Sequence, residues 1–210
     1  KGDWPTYRQD NRRSGSTSTP VPAELKRSWE TELGGELTPM VIVDGRLLVA
    51  QKDRHTLHCL DAETGEKLWS FTTGGRVDSP PTVAEGRVVF GSADGRVYCL
   101  RLGDGELIWS FRAAPVDMRT VSYGQLESLW PVHGSVLVRD GDVHFAAGRS
   151  MFLDGGLRML RLDLRTGRKL SENVLDETIP GEDGKKTLQD KVDWLNMPTA
   201  LPDVLSCDDE

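Results

Sequence analysis

Nowhere in the chain does an unbroken apolar run approach the roughly 20 residues that a membrane-spanning helix requires. The longest aliphatic stretches, Met40 to Val43 and Leu47 to Ala50, have only the length of a strand, so no membrane-spanning segment is expected. Lysine and arginine never gather into a run, and 33 acidic residues against 26 basic ones give a formal net charge of −7. A polyanion would meet long-range repulsion, which argues against nucleic acid and anionic membrane as partners. Cysteine is scarce. Cys59, Cys99 and Cys207 lie far apart, form no CxxC pair and are odd in number, so neither a zinc site nor a disulfide framework is indicated. A Gly-rich phosphate loop, an HExxH motif and the Ser/His/Asp order of a hydrolase are all missing as well. The chain opens at Lys1 without a charged-then-apolar leader, so the expectation is a removed signal peptide or a piece cut from a longer protein.

What is present is a repeat. Placed above one another, His58 to Phe71 and Tyr98 to Phe111 match at an offset of 40, and Trp29 precedes Trp69 by the same 40. A third copy, Leu160 to Leu170, follows at an offset of 62 and puts Ser171 where Trp would stand. A fixed period of this size signals stacked supersecondary units. Inside each unit the hydrophobic period is two: Val41-Ile42-Val43, then Asp44-Gly45, then Arg46 to Ala50 reads as strand, tight turn, strand, and Glu85-Gly86 and Asp140-Gly141 repeat the turn. Further turns fall at Asp94-Gly95 and at Thr64-Gly65, Asp104-Gly105 and Thr166-Gly167. Four short antiparallel strands in about forty residues make the blade of a β-propeller. Helical repeats of similar length need a 3.6-residue period that is absent, and WD40 repeats end in a Trp-Asp pair that Trp69 and Trp109 do not form.

The predicted fold is therefore all-β, with about three complete blades and two partial ones. Residues 1–31 are a lead-in ending in the last strand of a partial blade that carries Trp29. Blades follow at 32–71 and 72–111, then a longer blade with inserted loops at 112–174. Residues 175–210 form an irregular connection and the start of the next blade at Asp203. Closed propellers have roughly four to eight blades, so a fragment of a larger one is expected, with open edges prone to self-association.

The run Cys59-x-Asp61-x-x-Thr64-Gly65-Glu66-x-x-Trp69 resembles the tryptophan-docking motif of PQQ-binding-like (quinoprotein-like) propeller repeats. The resemblance implies that Trp29, Trp69 and Trp109 pack between blades. It also implies that Asp61, Thr64 and Gly65, Gly105, and Asp163, Thr166 and Gly167 shape the receiving turns. Copy two departs by carrying Arg101 and Asp104 for Asp and Thr, and copy three by Arg161 and Ser171, which implies weaker docking there. The opening Asp3 to Asp10 and the segments Trp130 to Ser135 and Ala146 to Gly156 also look like members of this family, in a subgroup of bacterial outer-membrane assembly scaffolds. Exported, periplasmic location follows from the same resemblance.

Hairpin matching places Asp78, His133 and Leu201 two residues ahead of the entry to innermost strands, and Asp203 at such an entry. Asp78, His133 and Asp203 are thus candidates for a polar cluster at the central channel, or else they cap turns and face water. On long loops, Arg119, Tyr123, Trp130, Arg149 and Trp194 are candidate binding residues, because Trp, Tyr and Arg dominate binding hot spots. Trp130 reads equally well as an inter-blade packing residue. Dehydrogenases of the family use PQQ with calcium, a catalytic Asp base and often a pair of adjacent cysteines. No such cysteine pair and no matching calcium or base segment is found. The expectation is a binding or assembly scaffold for a protein or peptide partner, with no catalytic residue, metal or cofactor. The alternative is a fragment of a PQQ- and calcium-dependent dehydrogenase.

Overall fold

The computed structural model describes residues 2–176, 202 and 204–208. Its body is three four-stranded antiparallel sheets, each in simple up-and-down order. The first contains β1 (Val41–Val43), β2 (Arg46–Gln51), β3 (Thr56–Asp61) and β4 (Lys67–Thr72). The second contains β5 (Thr82–Ala84), β6 (Arg87–Ser92), β7 (Arg96–Arg101) and β8 (Leu107–Arg112). A separate two-stranded hairpin follows, β9 (Arg119–Ser122) and β10 (Gln125–Ser128). The third sheet contains β11 (Leu137–Arg139), β12 (Asp142–Ala147), β13 (Leu157–Asp163) and β14 (Lys169–Leu175).

Turn chemistry sets the register. Asp44-Gly45, Glu85-Gly86 and Asp140-Gly141 all have positive φ at both positions. That is the two-residue hairpin turn whose twist matches its strands. At the β3–β4, β7–β8 and β13–β14 junctions the pairing slips by one residue, at Cys59/Leu60, Cys99/Leu100 and Arg161/Leu162. The slip accommodates the wider Gly65, Gly105 and Gly167 turns.

The second sheet shows why period two builds a stack. In β6, Val88 and Phe90 join the core shared with the first sheet, while Val89 joins the core shared with the third. In β7, Tyr98 and Leu100 face the first sheet and Val97 and Cys99 face the third. Both faces are therefore buried, and each such side chain contributes about 1.5–3 kcal/mol. The outer strands alternate exposed and covered residues, as in β4 and β8.

Three indoles bridge this stack in one repeated contact. Trp29 Nε1 donates to the Ala62 carbonyl at 3.1 Å, Trp69 Nε1 to Leu102 at 3.0 Å and Trp109 Nε1 to Leu164 at 2.9 Å. A Cβ on Gly65, Gly105 or Gly167 would lie 2.5–2.6 Å from the corresponding ring. Asp61 and Asp163 hold their turns by accepting backbone N–H groups two and three residues on. In the second copy Arg101 donates to Asp104, which itself accepts the Glu106 N–H. This substitute pair spans the turn, and Trp69 lies as close to it as its counterparts lie to theirs. Residues 26–35 form no strand, so Trp29 reaches its place from an irregular segment and not from a last strand.

The lead-in crosses the inner edges of all three sheets. Trp4 exchanges backbone bonds with Ile42, and the Pro5 carbonyl accepts the Val83 N–H. Arg13, buried, donates from Nη1 to Thr6 Oγ1 and the Tyr7 carbonyl, from Nε to the Leu205 carbonyl and from Nη2 to the Val136 carbonyl. Residues 204–208 form no strand; the Cys207 N–H bonds to the Asn11 carbonyl.

Candidate functional site

Antiparallel order sends the β2–β3 and β6–β7 connections and the segments entering β5 and β11 to one end of the sheets. The two-residue turns go to the other end. At the first end lies a cleft of about 610 Å³ lined by Glu36, Lys52, Asp53, Arg76, Asp78, Tyr123 and His133.

Asp78 and His133, from the entries to β5 and β11, meet there: His133 Nδ1 donates to Asp78 Oδ2 at 2.6 Å. Burial works against the charge on Asp78, but this hydrogen bond and the nearby His133 and Arg76 outweigh it and hold the carboxyl below the usual range. Arg76 is 8% exposed and its Nη2 lies 3.5 Å from Asp78 and 3.3 Å from Glu127. Its Nε is buried without a hydrogen-bond partner among the described residues. Lys52 is held by Glu36 at 2.5 Å.

The β9–β10 hairpin forms one wall. It is pinned through Glu127, through the Ser128 N–H to the Ala93 carbonyl at 2.8 Å, and through Gln125. The Gln125 Oε1 accepts from His55 Nε2 at 2.6 Å, and its Nε2 donates to Asp53 at 3.4 Å. At its tip Tyr123 lies over Arg76, 4.6 Å from guanidinium carbon to ring centroid, yet is 87% exposed. Val121 and Leu126 are directly opposed across the hairpin and both exposed, with Met118 close by in sequence.

The other candidates are placed differently. Arg119 is exposed on β9 beside Asp117. Trp130 is buried in the core between the second and third sheets, with its N–H on the Asp154 carbonyl, and Arg149 is paired with that same Asp154 at 2.6 Å. Trp130 thus sits as the inter-blade packing residue that its sequence reading also allowed, and Arg149, partly exposed, braces the 149–156 loop through Asp154. Trp194 and Asp203 lie outside the described residues. Arg76, Glu127, Lys52 and Glu36 were not singled out from sequence. Arg76 stands two residues before Asp78, a signal available in retrospect, whereas Glu127 sits in an insertion with no repeat counterpart. All three cysteines are free, and burial pushes the Cys59 thiol up to about 11 and Cys99 up to about 12. No helix among the described residues is long and apolar enough to cross a membrane.

Stacked four-stranded up-and-down sheets define a β-propeller architecture. A family model described as outer membrane protein assembly factor BamB matches residues 11–192, and the chain belongs to this family of PQQ-like propeller repeats. It is 32% identical over 141 residues to the outer membrane protein assembly factor BamB of Burkholderia pseudomallei, covering 66% of this chain and 32% of that protein. It is 30% identical over 191 residues to the dehydrogenase subunit of a quinone alcohol dehydrogenase of Gluconacetobacter polyoxogenes, covering 80% of this chain and 24% of that one. Among solved structures, the quinohemoprotein alcohol dehydrogenase of Comamonas testosteroni aligns with a TM-score of 0.66 at 21% identity, over 90% of this chain and 29% of that chain. The chain thus spans a third or less of the length of these relatives.

The cleft does not suit PQQ, a tricarboxylate quinone. Its two cations, Lys52 and Arg76, already face Glu36, Asp78 and Glu127, and Asp53 adds further negative charge. Nor do three His, Cys, Asp or Glu side chains gather for a metal ion among the described residues.

Proposed function

We propose that the chain is part of a binding scaffold that takes a protein or peptide partner on the cleft end of its blades. The observation that carries this is the inserted hairpin. It presents Val121, Tyr123 and Leu126 to solvent while its other side is fixed to two sheets through Glu127 and Gln125. An apolar and aromatic patch on a preorganised support is the usual form of a protein-binding hot spot. On this reading the three docked tryptophans are the structural staples of the family motif and keep that support rigid. The named role of the Burkholderia relative supports both a protein partner and an exported location.

Panning a phage-displayed peptide library on the purified chain tests the reading. Selected peptides are expected to lose binding by about tenfold or more to the double variant Val121→Glu/Leu126→Glu. Selected peptides that bind this variant unchanged would contradict it. A second reading, a segment of a quinone-dependent dehydrogenase, is favoured by the length of the Gluconacetobacter match. Calcium-dependent, saturable heat on titration with PQQ would move the assignment there.

A further inference from the structure

Beyond locating a partner on the cleft end, the cleft's chemistry selects what enters it. Three carboxylates, Glu36, Asp53 and Asp78, line the cleft with two cations, Lys52 and Arg76, and a fourth, Glu127, is buried against Arg76, leaving two negative charges in excess. Lys52 is occupied by Glu36, and Arg76 is shared between Asp78 and Glu127. The groups left for a ligand are therefore mostly acceptors. Asp53 is exposed, and among the described residues its hydrogen bond is a 3.4 Å contact from Gln125. When His133 is uncharged, its Nδ1 proton goes to Asp78 and Nε2 is an acceptor, with no hydrogen-bond partner among the described residues. The exposed Tyr123 ring adds a π-face at the rim.

A second, separate observation points to main chain as well as side chain. Arg76 lines the cleft more than nine-tenths buried, and its Nε donor has no partner among the described residues, a deficit that a peptide carbonyl reaching it would relieve. Neither a simple anion nor an apolar ligand satisfies both sets of groups. An extended peptide with a basic side chain does.

We propose that the cleft binds a lysine or arginine side chain from an extended segment of the partner, its cation between Asp53 and His133 Nε2 and beside the Tyr123 ring. This rests on the scaffold reading above and goes further by naming the chemistry of the residue recognised.

The test is an NMR titration of the isotope-labelled chain with Ac-Gly-Arg-Gly-NH2 and with its citrulline counterpart, which keeps the shape and removes the charge. The arginine peptide is expected to shift His133 and the amides around Asp78 saturably. The citrulline peptide should bind about tenfold more weakly, and added salt should weaken the arginine peptide. Asp53→Asn, at an exposed position outside the core, should lower affinity about threefold, as for a solvent-accessible ion pair. Tyr123→Ala gives an independent second reading of the same site. Equal binding of the two peptides, or shifts confined to the opposite end of the sheets, would overturn the inference. If that happens while hairpin-dependent peptides still bind, the scaffold reading survives and only the basic-residue assignment falls. If no peptide shows hairpin dependence, both fall.

Discussion

Gly105 has no side chain for a reason that can be measured. It sits at φ 75°, where any other residue is strained, and a Cβ there would lie 2.6 Å from the Trp69 ring. Gly45 has a similar φ of 70° but nothing within 4 Å of the missing Cβ. Gly45→Ala is therefore expected to lower stability by about 1 kcal/mol, the left-handed backbone term alone. Gly105→Ala should lower it by about 3 kcal/mol, because the indole must also move. Urea denaturation of the two variants checks the difference. Two histidines set a pH dependence. Burial is the main cause that lowers His58 and His144 below the ordinary imidazole value, so the unfolded chain takes up their protons first as pH falls. Their contribution is complete above about pH 6.5 and is lost below it, through their folded values. The carboxylates of Asp61, Asp78 and Asp163 are held low and stay ionised in that window, so the loss belongs to the imidazoles. The denaturation midpoint should fall between about pH 7.5 and about pH 5.5, and by less in His58→Asn. Asp78 and His133 were legible before the structure because hairpin matching puts both at strand entries. Arg76 was not, because nothing in a single sequence says which arginine will be buried beside them.

Strands were legible wherever the repeat's turns recurred, in the third unit as well as at the 40-residue offset. Asp-Gly and Glu-Gly turns with alternating apolar residues locate β1, β2, β5, β6, β11 and β12 from local chemistry alone. The inserted β9–β10 hairpin was visible only as surplus length, since its pairing has no repeat to be read against. Its anchoring depends on long-range contacts such as Arg76 with Glu127, 51 residues apart. Both members of that pair are largely buried, so Glu127→Gln should weaken the anchor while Asp78 still partly balances Arg76. The expected result is amide exchange in 119–128 faster by about tenfold or more, with little change in β6 and β7. Unchanged exchange in the hairpin would mean that Glu127 does not hold it. The lead-in was legible as a family feature, but its role along the inner edges was not, because Arg13 works through backbone carbonyls that carry no sequence signature.

Taken whole, the molecule is a stack with two unlike ends and two unlike outer faces. The outer face of the first sheet is covered by Trp29 and Leu33 over Leu47, Val49 and Leu60. The far face of the third sheet carries a groove of about 400 Å³ whose outward-facing lining includes Leu137, His144, Met159 and Arg161. We propose that this face self-associates when the chain is studied alone. Sedimentation velocity should then show a concentration-dependent shift toward dimers, and a monomer at all concentrations would count against it. The two ends differ in what they offer: tight turns at one, and at the other the charged cleft beneath an apolar hairpin tip. If the scaffold works as proposed, a bound partner must protect the second end. Hydrogen exchange of the chain with and without a selected peptide measures this. Protection is expected at 119–128 and in the segments around Asp53, Asp78 and His133. Protection confined to the Gly45, Gly86 and Gly141 turns, or to the far face of the third sheet, would contradict it.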